Sequence, residues 1–447
     1  MSRLFGTDGI RGLVGKELTP ALAHAVGRAL GLLLGEQGRP APTVLIGHDT
    51  RASCRGLVAA LTAGLSSVGT AVTLLGVLPT PAVSHLVLSR GADAGVVVSA
   101  SHNPAEYNGI KIFGRDGTKL SDAGEERIEA LLGDEGLAAA PVSIATPTDP
   151  TGAEEYLAAL AATVDTPLAP LRLAVDCANG AAVATAPRLL ARLGLAPLWL
   201  GAAPDGTNIN KECGSTSLSR LSATVLEHRL DLGIAFDGDA DRCLLIDERG
   251  ATVDGDAILC MCALDRHRRG LAGSRAVVGT VMSNLGLSRR LEREGIAFHA
   301  APVGDRFVAE TMKRVGATLG GEPSGHVIFS DVAATGDGLL TALSVLSLLT
   351  RSGAPLSALA AELARYPAAT ADLPLTPAAR EALTTDGELS ALRERAAALL
   401  GTHGRLLIRP SGTEPRLRVL VEADNQALLE STLSLLTKEA ERILEKY

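Results

Sequence analysis

Residues 94–104 read Ala94-Gly-Val-Val-Val-Ser-Ala-Ser-His-Asn-Pro104. Ala94 to Val98 is a short apolar run rich in β-branched side chains, as a strand buried on both faces requires, and it breaks into small, polar, turn-forming residues ending at Pro104. Ser101 therefore falls in a loop at the carboxyl end of a strand. In open α/β sheets ligands bind at that edge, because its loops are free to carry chemistry while the sheet holds them still. Ser101 is a candidate nucleophile with an exposed hydroxyl. Ser, Asn and Pro after a strand are also ordinary turn chemistry, so the assignment depends on what the rest of the chain supplies.

A chain of 447 residues is too long for one core, and three or four domains are expected. With 46% hydrophobic and 21% charged residues it is a soluble globular protein without disordered bulk. The formal net charge of -8 and an aromatic content of 2% argue against nucleic acid as a partner, since phosphate backbones are held by clustered Lys and Arg and single strands by aromatic rings. Cys54, Cys177, Cys213, Cys243, Cys260 and Cys262 include no CxxC pair and are too sparse for a disulfide scaffold, which predicts a reducing, cytoplasmic setting. Cys260 and Cys262 read as small core residues of a helix. No apolar signal region or run of 18 apolar residues is apparent, so secretion and membrane spanning are not expected.

Taken in order, the pattern predicts helix 19–35, strand 43–47, helix 54–67, strand 70–75, helix 81–90 and strand 94–98, an alternation that implies a sheet with helices on both faces. The glycine-rich stretch 3–12 reads as a loop folded around Arg11, whose guanidinium suits phosphate. After the serine loop, Asn108-Gly109 turns the chain into a return strand, Ile110 to Phe113, where Lys111 either faces a phosphate or snorkels at an edge. Residues 133–152 read as a linker, closing a first domain at 1–152. A second, 153–255, carries strands 171–176 and 195–200, then Leu232 to Phe236, the loop Asp237-Gly-Asp-Ala-Asp-Arg242 and strand 243–247. A third, 256–368, carries strands 275–280, 297–301 and 317–320, with Val303-Gly-Asp-Arg306 opening a helix and Gly321-Glu-Pro-Ser-Gly-His326 following the last strand. The fourth, 369–447, carries helix 387–400, strand 404–408, the loop Arg409-Pro-Ser-Gly-Thr-Glu-Pro415, strand 416–422 and a closing helix from about 426.

Each of these loops has its own chemistry. Asp237, Asp239 and Asp241 at i, i+2 and i+4 repel one another, and a divalent cation is the usual remedy; oxygen-only ligands favour magnesium, manganese or calcium over zinc. With Glu248 they also fit positions 1, 3, 5 and 12 of an EF-hand, but Arg242 stands where that loop needs glycine, and strands rather than helices flank it. Asp305 and Arg306 bring a helix N-terminus and a guanidinium to an anion. Glu322, Ser324 and His326 suit sugar hydroxyls, and His326 could move protons near neutral pH. Arg409, Ser411, Gly412 and Thr413 gather a guanidinium, two hydroxyls and backbone N–H groups within one turn, a phosphate cradle without a Walker lysine. Together they describe phosphoryl transfer on a phosphorylated polyol. A serine hydrolase built on Ser101 and His102 is disfavoured, because adjacent residues rarely face each other and no G-x-S-x-G elbow is present.

The loops Ser-Ala-Ser-His-Asn-Pro, Asp-Gly-Asp-Ala-Asp-Arg, Gly-Glu-x-Ser-Gly-His and Arg-Pro-Ser-Gly-Thr-Glu-Pro, in this order, resemble the α-D-phosphohexomutase superfamily. Phe5 to Gly12 and the glutamate of the last loop resemble its bacterial phosphoglucosamine mutase branch; the phosphoglucomutase/phosphomannomutase branch is the alternative. The resemblance implies three related α/β domains with mixed sheets flanked by helices, plus a smaller α+β C-terminal domain, around a central cleft, although no internal repeat is visible in the sequence. It implies a phosphoserine at Ser101 that binds Mg2+ with Asp237, Asp239 and Asp241. A hexose 1,6-bisphosphate would serve as intermediate and primer, and glucosamine 6-phosphate and 1-phosphate as the substrate pair, feeding cell-wall precursors. It further implies catalytic roles for Arg11, His102, Lys111 and His326, and substrate contacts from Arg242, Asp305, Arg306, Glu322, Ser324 and His326. Arg409, Ser411, Gly412 and Thr413 would hold the phosphate that is not reacting. A homodimer and an activating kinase are left open as partners. Pro323 departs from the glutamine or methionine usual in the third loop; it removes a backbone donor, which bears on sugar selectivity and not on phosphoryl transfer.

Overall fold

The apolar runs form four sheets. The computed structural model describes residues 4–6, 8–39, 41–135, 148–382, 386–410, 415–444 and 446. In the first sheet β1 (Ile10–Leu13), β2 (Thr43–His48), β3 (Ala71–Val77), β4 (Ala94–Val98) and β5 (Tyr107–Gly114) lie in the order β1-β5-β4-β2-β3. The second contains β6 (Leu173–Asp176), β7 (Leu198–Leu200), β8 (Leu232–Phe236), β9 (Cys243–Asp247) and β10 (Thr252–Val253), ordered β10-β9-β8-β6-β7. In the third, β11 (Ala276–Thr280), β12 (Ala297–Ala301), β13 (Leu319–Gly321) and β14 (Val327–Phe329) are ordered β12-β11-β13-β14.

Set aside the edge strands β1 and β10, and these three sheets share one plan. The first strand of each pairs in parallel with the second and the third, and the fourth returns antiparallel beside the third. The repeat is one of topology. Hydrophobic patterning and connection handedness specify such a unit, and many unrelated sequences satisfy both. In every unit the short turn from third to fourth strand sits at the carboxyl edge. Those turns carry Ser101, the three aspartates, and Glu322, Ser324 and His326.

The fourth sheet, β15 (Ala368–Pro374), β16 (Gly404–Pro410) and β17 (Arg416–Ala423), is antiparallel in the order β15-β17-β16 and is covered by helices Gly387–Leu400 and Gln426–Leu444. It has its own core around Leu392, Val419 and Leu436. The other three share one: Val83 and Leu86 beside β4, Tyr156 and Ile234 in the second unit, and Leu259, Leu319 and Leu343 in the third belong to a single buried cluster. Among the described residues, no helix is long and apolar enough to cross a membrane. All six cysteines are free and buried.

Several elements differ from the sequence reading. The glycine-rich opening is not wholly a loop, since Ile10 to Leu13 pair with Ile110 to Tyr107 as β1. Gly109 permits this close pairing, because a Cβ there would lie 3.0 Å from both Arg11 Cγ and the Ile10 carbonyl oxygen. β16 extends to Pro410, so Arg409 lies on the strand. Gly338–Ser352 is a helix that the pattern did not single out, and most of its residues are buried.

Helices Pro20–Glu36 and Cys54–Ser66 cross in backbone contact. A Cβ on Gly64 would stand 2.0 Å from the His24 carbonyl oxygen, whereas one on Gly56 of the same helix would meet nothing within 4 Å. Gly64→Ala should therefore destabilise the protein by about 1–3 kcal/mol through overpacking. Gly56→Ala should instead be stabilising by up to about 1 kcal/mol through helix propensity. Urea unfolding midpoints of the two variants check both signs.

Candidate active site

The serine loop is held by its main chain. Ser101 adopts a left-handed conformation (φ 53°), unusual for a residue with a Cβ, and is 1% exposed rather than open to solvent. Its N–H donates to Ser99 Oγ at 3.0 Å, and Ser99 Oγ donates to Asp49 Oδ2 at 2.6 Å. Its carbonyl accepts from Arg51 Nη2 at 3.1 Å and from Asn210 Nδ2 at 2.8 Å. Arg51 is buried against Asp49 (Nε to Oδ2, 2.9 Å) and also donates to the carbonyls of Asn103, Pro104 and Tyr107. One guanidinium thus supports the whole turn. His102 Nδ1 lies 3.3 Å from Ser101 Oγ, so these neighbours do meet, contrary to the sequence reading; the left-handed backbone at 101 accompanies this approach. Burial, with Arg242 and Arg11 nearby, brings the His102 imidazole down to about 4, so it is neutral at pH 7.

The aspartate turn between β8 and β9 faces that loop. Ser101 Oγ donates to Asp237 Oδ2 at 2.5 Å, and Gly238 packs so closely on the Ser101 carbonyl that a Cβ would lie 2.4 Å from it. Lys111 on β5 is fully enclosed, and its Nζ bonds Asp239 Oδ2 at 2.5 Å and Asp241 Oδ2 at 3.1 Å. The snorkelling alternative is thereby excluded. Thr80 Oγ1 also donates to Asp239 Oδ2, at 2.5 Å. Burial raises the Asp237 carboxyl well above its usual range, and Asp241 and Asp239 push it further. At Asp241 burial acts in the same direction, but Lys111, His326 and Arg242 outweigh it and hold that carboxyl well below its usual range. Lys111 and His326 are both raised, since their carboxylate neighbours outweigh the burial that opposes their charge.

These carboxylates fit a metal ion. One oxygen from each of Asp237, Asp239 and Asp241 lies within 4.8 Å of the others. Asp239 Oδ1 and Asp241 Oδ1 are buried without a hydrogen-bond partner. An all-oxygen donor set with two unanswered oxygens suits a hard divalent cation. The EF-hand geometry is absent: β8 and β9 flank the turn, and Glu248 is turned away to bond Ser357.

The third turn lies against the other two. His326 is buried with Nδ1 3.7 Å from Asp241 Oδ1 and Nε2 3.7 Å from Asp305 Oδ2. Glu322 Oε1 accepts from the Gly304 N–H at 2.9 Å, which ties this turn to the start of helix Asp305–Val315, and Ser324 Oγ has no partner. Lys119 bridges Asp305 (2.7 Å) to Asp8 (2.8 Å), and Asp8 also pairs with Arg11 at 3.5 Å. The sequence reading offers the Arg306 fork to an anion; the structure engages it with Asp122, Glu125 and the Leu120 carbonyl, joining the first and third units. Arg409 stands opposite Arg418 in the β16–β17 ladder, and Asp372 lies 3.9 Å from Arg418. Ser411, Gly412 and Thr413 lie outside the described residues.

Sequence reasoning missed Asp49, Arg51, Thr80, Asn210 and Lys119. Asp49 and Arg51 follow β2 and Thr80 follows β3, so the carboxyl-edge rule that selected Ser101 would also have reached them. Asn210 and Lys119 carry no such signal.

Four domains of the phosphoglucomutase/phosphomannomutase family match the chain in order: α/β/α domain I over residues 2–138, domain II over 154–250, domain III over 254–366 and the C-terminal domain over 358–438. The chain belongs to this family of phosphohexomutases and is a mutase, an isomerase that transfers phosphate. It is 44% identical over 454 residues to the phosphoglucosamine mutase of Syntrophomonas wolfei, covering 99% of each chain. It is 47% identical over 433 residues to that of Streptomyces avermitilis, covering 95% of each. The crystal structure of a phosphoglucomutase/phosphomannomutase family protein from Burkholderia thailandensis superposes with a TM-score of 0.81 at 26% identity, covering 98% of this chain and 97% of that one.

Arg51→Met would leave Asp49 buried without its ion partner and the serine loop held at its carbonyls by Asn210 alone. The expected cost is about 3–5 kcal/mol in unfolding free energy, the range for breaking a buried pair. Arg51→Lys should recover little of it, because an ammonium cannot reproduce the fork. Denaturant titration of both variants checks this.

Proposed function

We propose that the chain interconverts glucosamine 6-phosphate and glucosamine 1-phosphate in the cytoplasm, through a phosphoserine at Ser101 and a 1,6-bisphosphate intermediate, and so supplies the synthesis of UDP-N-acetylglucosamine. The observation that carries this reading is the contact of Ser101 Oγ with Asp237, inside a buried cluster of three carboxylates with unanswered oxygens. Full-length identity to phosphoglucosamine mutases supports the sugar. Asp237, Asp239 and Asp241 with the serine phosphate would hold Mg2+, which when bound would neutralise charge on the transferring group.

In the forward direction the free C1 hydroxyl of the 6-phosphate attacks the phosphorus on Ser101. The bond from phosphorus to Oγ breaks, a new one forms to the sugar oxygen, and the hydroxyl proton leaves to a base. Ser101 Oγ takes up a proton as it leaves; the bisphosphate then turns over, Ser101 Oγ attacks its 6-phosphate, the bond from phosphorus to O6 breaks, and the serine proton passes to O6 as glucosamine 1-phosphate departs. His326 is the residue we assign to that proton, since its Nε2 is buried with no hydrogen-bond partner. Lys111, Arg11 and Arg242 supply positive charge to the phosphates, neutral His102 shields Ser101, and Asp305, Glu322 and Ser324 read the sugar. Arg306 steadies that rim from the side. Arg409 with residues 411–413 holds the distal phosphate. Ser101 is primed by a hexose 1,6-bisphosphate or by an activating kinase.

Phosphorus NMR of the pure protein with magnesium and a trace of bisphosphate, offered glucosamine, glucose and mannose 6-phosphates at equal concentration, tests the substrate. Glucosamine 1-phosphate should grow fastest. A lead for glucose or mannose would move the assignment to the phosphoglucomutase/phosphomannomutase alternative and point to Pro323. In the same assay Ser101→Ala should abolish turnover in a chain that still folds, with a lower melting temperature because buried Asp237 loses its hydroxyl donor; retained turnover would sink the phosphoserine route.

A further inference from the structure

We infer that Thr80 is a positioning residue for the carboxylate cluster: its hydroxyl fixes which oxygen of Asp239 is left for a divalent cation. The inference rests on the metal reading given above.

Thr80 is the first residue of helix Thr80–Arg90 and is buried. It belongs to the unit that carries Ser101, while Asp239 belongs to the second. Two bonds join them across that boundary. The Thr80 N–H donates to the Asp239 carbonyl at 2.9 Å, and Thr80 Oγ1 donates to Asp239 Oδ2 at 2.5 Å. Lys111 Nζ meets the same Oδ2 at 2.5 Å, and Oδ1 has no partner.

The asymmetry is the argument. A carboxylate turns easily about its last torsion, so the chain must select which oxygen faces a ligand. At Asp239 both donors converge on Oδ2, from a hydroxyl and an ammonium, and Oδ1 is left to the cluster. The neighbours are divided in similar fashion: Ser101 Oγ takes Asp237 Oδ2, and Lys111 takes Asp241 Oδ2. Ser101 and Lys111 are proposed participants in the reaction, whereas Thr80 is a neutral group that touches Asp239 and no reacting atom. Partners that orient a ligating carboxylate in this way govern metal affinity.

Thr80→Val keeps the shape and the main-chain bond to Asp239, and removes only the hydroxyl. Because Lys111 remains on Oδ2, the loss should be at the lower end of such effects, about tenfold in the dissociation constant for Mg2+. Calorimetric titration of Mg2+ into metal-stripped full-length protein carrying phosphate on Ser101, with Mn2+ followed by electron paramagnetic resonance, gives the readout. Thr80→Ser should restore wild-type affinity, and KM for the sugar phosphate at saturating magnesium should be unchanged in all variants. Should valine prevent folding, Thr80→Ala carries the same expectation. A valine or alanine variant that binds Mg2+ as tightly as wild type would overturn the role of Thr80 while leaving the metal site standing. Wild-type protein that takes up neither cation would overturn the metal reading and this inference with it.

Discussion

Three carboxylates within 4.8 Å of one another, shut away from water, repel so strongly that their surroundings must be arranged to keep them there. Each is answered by a different part of the chain. Asp237 receives the Ser101 hydroxyl, Asp239 the Thr80 hydroxyl and the Lys111 ammonium, and Asp241 the same ammonium with His326 close by. Those partners come from the first and third units. The electrostatic demands of one turn in the second unit therefore hold three carboxyl edges at a common point.

Packing makes that arrangement stiff. The first three sheets share a continuous apolar core, so their turns move together or not at all. The fourth unit has a separate core and joins the third through polar contacts: Arg405 to the Ser283 carbonyl, and Asn284 to Glu422. A polar junction between separate cores is the kind across which domains shift relative to one another. The division suits the proposed reaction, in which the phosphoryl-transfer centre stays fixed while the bisphosphate turns and is held again.

Selectivity is a smaller matter energetically than chemistry. Sibling enzymes that move phosphate on glucose, mannose or glucosamine differ only in contacts to the sugar, each of modest strength. In this chain the proposed sugar contacts centre on residues 321–326, where Pro323 gives its carbonyl to the Gly255 N–H and has no N–H to offer a ligand. The same turn supplies His326 to the carboxylate cluster. The roles proposed for sugar reading and proton movement thus fall on a single short segment whose backbone is tied to the first helix of the third unit.

Local pattern was enough for much of this. β4, β8 and β9 span the residues that apolar runs had marked, and four polar loops with distinct chemistry could be read directly from their residues. A two-residue period and a turn signal are local properties, so a single segment determines them. Partnership is not local. Ser101 and Asp237 are 136 positions apart, and nothing in either segment states that they touch. The burial of Ser101, the approach of His102, the hold of Arg51 and Asn210 on the serine loop, and Thr80 on Asp239 arise only when three sheets share a core. Even the threefold repeat exists as strand order and not as residues. By itself the sequence determined which loops could do chemistry and what kind; the tertiary structure decided which side chains meet and which carboxylate oxygens stay open, because burial and charge pairing depend on neighbours in space.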